Sequence, residues 1–408
     1  MNLNSLHNLL LTLFFGVWLV LPQLTGVILV VLILTNLLGW YRKQNSWDSS
    51  WVFSPWIGLF CLYFLSTFFT TEPSFGMGEM ERKLSLVAFP LLFSFRWKIA
   101  FHFKWAWFAH TMACLLLLII AFYDSVVCQY SLGNSVRCFS TSYFSQVHHP
   151  TYFSAFLIFS IIGLLHNCIP WFDKKHPVLR ILVILIFSVV YLNLGSLGGI
   201  FVLFLVFGIY FWRLFSRRFG KPKAVWLSAF LLALMFISAY ASSEIRADVK
   251  NAYSFTEMYF ENPEAFVKGR KEPLQGNEVR LILWTASAQL IKEHPLGVGL
   301  GQLDQKLYLK LKGWGYPIQA SKKFNPHNQF LQIGNEIGIL GFLIFIALIV
   351  LSVRKVSPSL RYIFYLFLLS FLVLCLFESM LQRQSGIVFF LSWMAVFVTQ
   401  PGLEIESE

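Results

Sequence analysis

Residues 329–352 read QFLQIGNEIGILGFLIFIALIVLS, an unbroken run whose one ionisable side chain is Glu336. As a helix rising ~1.5 Å per residue the run is about 36 Å long, enough to cross the hydrocarbon of a bilayer. Polar chain precedes it at Asn325-Pro326-His327-Asn328, and basic chain follows at Arg354-Lys355. Apolar runs of this kind recur near 8–21, 25–40, 51–70, 84–95, 105–123, 150–168, 178–195, 198–215, 224–241, 360–377 and 385–399. Hydrophobic residues make up 57% of the 408 and charged residues 13%, which excludes a water-soluble domain of this size. The expected fold class is therefore all-α: a polytopic integral membrane protein with about 12 transmembrane helices. The run at 84–95 is short and holds Pro90, so a tilted or re-entrant segment is the alternative there. The first run has neither a basic start nor a small-residue cleavage site, and reads as an anchor rather than a signal peptide.

One long polar excursion interrupts these runs. It divides the chain into an N-terminal bundle at 1–241, a loop at 242–328 with short amphipathic helices, and a C-terminal bundle with a short tail at 329–408. With both termini placed in the cytoplasm, sixteen Lys and Arg residues, from Arg42 to Arg361 and including Lys174 and Lys175, fall on inner loops. The short outer loops hold only Arg82, Lys83, Arg137 and Arg383. That asymmetry follows the positive-inside rule and puts the long loop outside, where its own basic residues do not count. The net charge of +12 is then largely a cytoplasmic collar facing anionic lipid. No soluble basic domain points to nucleic acid, no phosphate-binding loop points to a nucleotide, and no cysteine or histidine spacing points to a metal; no cofactor is expected. Cys128 and Cys138 bracket an outer stretch. A disulfide in an oxidising periplasm and two free thiols are both open readings. The other four cysteines lie in or beside apolar runs, where they pack as small hydrophobes.

The polar chemistry gathers at the outer ends. From Arg280 to Lys292 the apolar residues Leu281, Trp284, Ala288 and Ile291 follow a three-to-four spacing, which predicts an amphipathic helix with Arg280 in its first turn. A helix N-terminus beside a guanidinium suits an anion, although a solvated arginine or a headgroup contact fits the spacing as well. His294-Pro295 ends that helix, and Gly297, Gly299 and Gly301 form a tight connection. His327, between Pro326 and Asn328, reads as a general base at the membrane surface or as an interfacial histidine bonded to a carbonyl. Glu336 within an apolar run is costly unless it faces a cavity or an ion-pair partner. Glu79, Glu81, Arg82, Lys83, His148, His149, Glu378 and Arg383 collect on the same side. Each alone reads as helix-end chemistry; together they line one face with cations suited to a membrane-anchored diphosphate.

The ordered set Arg280, Trp284, His294-Pro295-Leu296-Gly297-Val298-Gly299, His327-Asn328, Leu331 and Glu336-Ile337-Gly338-Ile339-Leu340-Gly341 resembles the O-antigen ligase and polymerase superfamily of bacterial inner-membrane proteins. Supporting context is Glu81-Arg82-Lys83-Leu84 and the stretch from Glu378 to Gly386. The resemblance implies a GT-C-like, metal-independent glycosyltransferase that moves a glycan from an undecaprenyl-diphosphate carrier to an acceptor on the periplasmic side. It implies Arg280 as a diphosphate ligand and His327 as the group that activates the acceptor hydroxyl. The wider substrate-binding set is then Arg82, Lys83, His149, Asn328, Glu336 and Arg383. Ligation of O-antigen to lipid A–core is the leading expectation, with repeat-unit polymerisation or protein O-glycosylation as alternatives in the same chemistry. A transporter of lipid-linked sugars is a remote alternative, and would carry its site mid-membrane on interrupted helices. One position departs from the family pattern: in Gly195-Ser196-Leu197-Gly198-Gly199, Leu197 stands where an arginine is expected.

Overall fold

The computed structural model describes residues 2–48, 51–70, 73–99, 101–133, 138–139, 141–172, 176–272, 274 and 276–399; Arg137, Lys174 and Lys175 lie outside them. Among the described residues, seven helical stretches are long and apolar enough to cross a membrane: Leu3–Val20, Pro22–Tyr41, Trp51–Phe69, Phe103–Leu132, Leu197–Phe219, Lys221–Tyr240 and Gln329–Lys355. Four further apolar helices, Pro150–Leu165, Pro177–Asn193, Arg361–Phe377 and Gln384–Thr399, are shorter. The chain is a helical, polytopic membrane protein.

In chain order the bundle opens with α1 (Leu3–Val20), α2 (Thr25–Tyr41) and α3 (Ser54–Ser66). Then come α4 (Pro73–Lys83) and α5 (Ser85–Phe93), which realise the weak apolar run as a helix too short to span alone. Two three-residue strands, β1 (Asn45–Trp47) and β2 (Phe95–Trp97), pair antiparallel with Ser46 opposite Arg96, a small addition to the all-helical expectation. Next, α6 (Phe103–Leu132) runs well past the apolar stretch at 105–123, so Cys128 rides on its C-terminal end. The short α7 (Thr141–Phe144) leads to α8 (Pro150–Leu165), and α9 (Pro177–Asn193), α10 (Leu197–Phe219) and α11 (Lys221–Tyr240) follow. Beyond the long loop, α8 meets α18 (Arg361–Phe377) and α19 (Gln384–Thr399). Both α8 and α19 are buried around their whole circumference, which marks the bundle centre. Their aromatic side chains stack there, as in Trp107 on Phe159 at 4.5 Å and Phe371 on Phe390 at 4.3 Å.

The excursion folds into α12 (Ser243–Glu261), α13 (Pro263–Gly269), α14 (Gly276–Glu293), α15 (Leu303–Gly313) and α16 (Pro317–Ser321). It has an apolar cluster of its own, including Phe266, Ile282, Leu283, Leu311 and Tyr316. On α14 the buried residues are Val279, Leu281, Ile282, Leu283, Ala286, Ser287 and Leu290, while Ala288 is exposed. The expected stripe through Ala288 is thus displaced, because α14 packs on α12 and also on α17 (Gln329–Lys355), and two of its faces are covered.

The apolar run at 329–352 is not one continuous helix. Ile337 (φ −131°) and Gly338 (φ +65°, ψ −162°) break α17 in its N-terminal third. The turn after α14 plugs the gap. Val298 N–H donates to Asn335 O at 2.7 Å, Gly299 N–H to Glu336 O at 3.0 Å, and Ile339 N–H to Pro295 O at 3.1 Å. Backbone groups freed by a break inside hydrocarbon must find partners, and the Pro295–Gly299 turn supplies them. No side chain fits: a Cβ on Gly297 would lie 2.6 Å from Glu336 O, and one on Gly338 would meet Pro295 and Leu296. Gly338→Ala is expected to cost about 1–3 kcal/mol in backbone strain alone, measured as a lowered Tm of the purified protein; an unchanged Tm would show that the break tolerates a side chain.

Candidate functional site

The segment Asn325–Asn328 sets His327 from both sides. Asn325 Oδ1 accepts the His327 N–H at 2.9 Å, and Asn328 Oδ1 caps α17 by accepting Phe330 and Leu331 N–H at 3.0 and 3.1 Å. Asn328 Nδ2 donates to Leu376 O at 3.1 Å, which ties the start of α17 to the end of α18. Both ends of the Asn328 amide are committed to backbone, so it positions its neighbours. His327 itself sits at φ +47°, a left-handed conformation that costs a side-chain-bearing residue about 1–3 kcal/mol and persists because these bonds hold it.

The ring finds a partner far away in sequence. His327 Nδ1 lies 3.1 Å from Glu378 Oε2 at the end of α18, and Glu378 Oε1 accepts the Ser379 N–H at 3.1 Å. Burial pushes the Glu378 carboxyl up. The His327 bond and the charges of His327, His149 and Arg280 outweigh that push and hold it below the usual carboxylate range. An ionised Glu378 keeps the proton of the neutral imidazole on Nδ1 and leaves Nε2 as an acceptor. Folding thus favours the charged carboxylate: its contribution to stability is complete above the ordinary carboxylate range and lost as pH falls through the lower folded value. The Tm difference between the parent and Glu378→Gln is accordingly expected to shrink as pH falls into and below that range; a difference independent of pH would show that the charge contributes nothing.

Arg280 faces the same carboxylate, but not from where the sequence expects it. Because α14 begins at Gly276, Arg280 lies in the second turn, and the helix N-terminus does not join it in an anion site. Nη1 donates to Asn277 Oδ1 at 3.2 Å, while the neighbouring Glu278 is taken by Arg270 at 3.2 Å. Burial lowers the Arg280 pKa and Glu378 opposes it; an arginine remains charged regardless. His149 precedes α8 and carries a buried Nδ1 without a hydrogen-bond partner. Burial holds His149 below its ordinary value; Glu378 opposes this, and Arg383, His327 and Arg280 add to it. Of the residues singled out in the sequence, His327, His149 and Arg280 thus act on Glu378, and Arg383 joins them in acting on His149. Glu378 is the hub that the sequence left without a partner. No local spacing links it to His327.

Residues 181–346 match the family model described as O-antigen ligase. This segment is an O-antigen ligase family domain. It contains Arg280, His327 and Glu336 and stops short of Glu378. The O-antigen ligase family supports glycosyl transfer of the ligase or polymerase type, with lipid-linked glycans as substrates in a membrane setting. No curated protein matches the chain.

Other candidates of this O-antigen ligase domain and its flanks are placed differently. Lys83 is 1% exposed; its Nζ donates to Leu381 O at 2.9 Å and sits 4.7 Å over the Tyr63 ring. Glu336 is also buried, its Oε1 accepting from Gln332 Nε2 at 2.6 Å, with the charge of Lys83 acting on it. Both charged ends are enclosed by protein, unlike the substrate-facing groups the sequence reading expects. Arg82 is half-exposed and paired with Glu79 at 2.7 Å; Glu79 also accepts from Gln382 Nε2 at 3.1 Å, which puts Arg82 on the rim beside residues 378–383. At the departure from the family pattern, Ser196 Oγ caps α10 by accepting Gly199 N–H at 3.2 Å, and Gly198 lies against the Phe377 ring. That corner is a helix cap packed on α18. Cys128 and Cys138 are joined by a disulfide.

Proposed function

We propose that this O-antigen ligase family protein transfers a glycan from undecaprenyl diphosphate to an acceptor hydroxyl on the periplasmic face of the bacterial inner membrane, with lipid A–core as the acceptor. The observation that carries the reading is the His327–Glu378 pair with Arg280 acting on the same carboxylate. In the proposed reaction the acceptor oxygen attacks the anomeric carbon and the carbon–oxygen bond to the diphosphate breaks. The acceptor proton passes to His327 Nε2, and undecaprenyl diphosphate leaves with the bonding electron pair. Glu378 steadies the imidazolium that forms, as a carboxylate does for a general-base histidine. Arg280, with Arg383, His149 and Arg82 at the rim, bears on the departing diphosphate. The leaving group is already good, so charge stabilisation and positioning are what the protein must add, and no cofactor is required.

The same proposal takes the chain as a GT-C-like fold with about 12 crossings, both termini cytoplasmic and residues 242–328 as a periplasmic cover between the bundles at 1–241 and 329–408. The test is transfer by the purified full chain from carrier-linked glycan to defined acceptors, paired with the lipid-linked glycan of a deletion strain. Uncapped core in that strain supports ligation. Core bearing single repeats indicates a polymerase, and unchanged lipid with unglycosylated protein indicates protein glycosylation.

A further inference from the structure

We propose that Lys83 is a positioning residue, which holds the loop joining α18 to α19 so that Glu378 is presented to His327. The proposal rests on the roles given above to His327 and Glu378. Burying an ammonium is costly unless its donors and its charge are both answered. Here Nζ donates to Leu381 O at 2.9 Å and to Gln382 Oε1 at 3.4 Å, and the buried Glu336 answers the charge. The acceptors belong to the loop, three and four residues beyond Glu378.

The loop is gripped from other helices at adjacent points. Leu381 N–H donates to Gln329 Oε1 at 2.5 Å on α17, and Tyr152 on α8 donates to Ser379 O at 3.1 Å. Ser379 Oγ donates to Gln332 Oε1 at 3.3 Å, and the same Gln332 binds Glu336. Lys83 at the end of α4 therefore closes a frame: α4 holds the loop, α17 holds both the loop and the carboxylate that balances Lys83, and His327 stands two residues before α17. Removing Lys83 breaks the bonds to Leu381 O and Gln382 Oε1 and takes its charge from Glu336, and Glu378 moves with the loosened loop.

The test is a double-mutant cycle of Lys83→Met and Glu378→Gln, read as kcat and donor KM for transfer by the full chain from carrier-linked glycan. Lys83→Met is expected to lower kcat by about 10- to 100-fold, the worth of a hydrogen bond to a charged group, and to leave donor KM unchanged. In the Glu378→Gln background it should cost little more, because the residue through which it acts is already disabled. Equal losses in both backgrounds, or an unchanged kcat in Lys83→Met, would overturn the proposal, as would a raised donor KM at constant kcat. Should Lys83→Met fail to fold, Gln382→Ala replaces it, with a smaller loss of the same pattern expected and equal losses again decisive against it. Full transfer by both His327→Ala and Glu378→Gln would instead sink the underlying reading of the site.

Discussion

Replacing His327 with alanine is expected to lower glycan transfer by about 10²–10⁴-fold, the usual worth of a positioned general base. The chain should still insert and fold, because the cap of α17 is made by Asn328 and not by His327. Alanine keeps the Cβ and with it the left-handed strain at this position, so Tm should fall only by the worth of the lost Glu378 contact. Glu378→Gln should give a smaller loss, about 10- to 100-fold, because it removes one charge-assisted bond and leaves Nε2 in place. The measurement is single-turnover transfer by purified variants with carrier-linked donor and saturating acceptor. Full activity in His327→Ala would remove histidine from the mechanism.

Arg280→Ala is expected to lower transfer by about 10²–10³-fold, comparable with losing one preorganised donor to a developing negative charge. Its guanidinium donates to the neutral Asn277, and Glu378 is a carboxylate whose charge acts on it, which sets the guanidinium beside the proposed diphosphate position. Arg280→Lys should recover only part of the loss, since an ammonium cannot reproduce the planar fork. The informative readout is the response to donor: a raised KM together with a lowered kcat marks a ligand used in both ground and transition states. An Arg280→Ala variant with parental kcat and KM would move the diphosphate elsewhere, with the rim residues Arg82 and Arg383 the next to test.

Membrane character was legible without coordinates because apolar runs are long and local, and a window along the chain is enough to see them. The family was legible for the same reason: Arg280, His294-Pro295-Leu296-Gly297 and His327-Asn328 stand in one order within one segment. Periodicity did less well on α14, where burial on two sides erased the single stripe and left Ala288 exposed. The start of that helix was also misread, since Gly276 and Asn277 carry no apolar signal and Arg280 is a strong helix former within the second turn. The break in α17 is invisible to hydropathy because Ile337 and Gly338 add no polar side chain to the run.

The sequence by itself determined the class of the molecule and the family match of residues 181–346, and it singled out His327 and Arg280, all from residues close together along the chain. Tertiary structure alone decided which groups meet. Glu378 reaches His327 because Asn328 binds Leu376 and brings α18 beside α17. Lys83 turns inward because α4 ends against the loop after α18, and the Pro295–Gly299 turn enters α17 because the broken helix offers it unpaired backbone. Such contacts join residues tens to hundreds of positions apart, and in a membrane they are made by packing and by the demand that buried polar groups be satisfied.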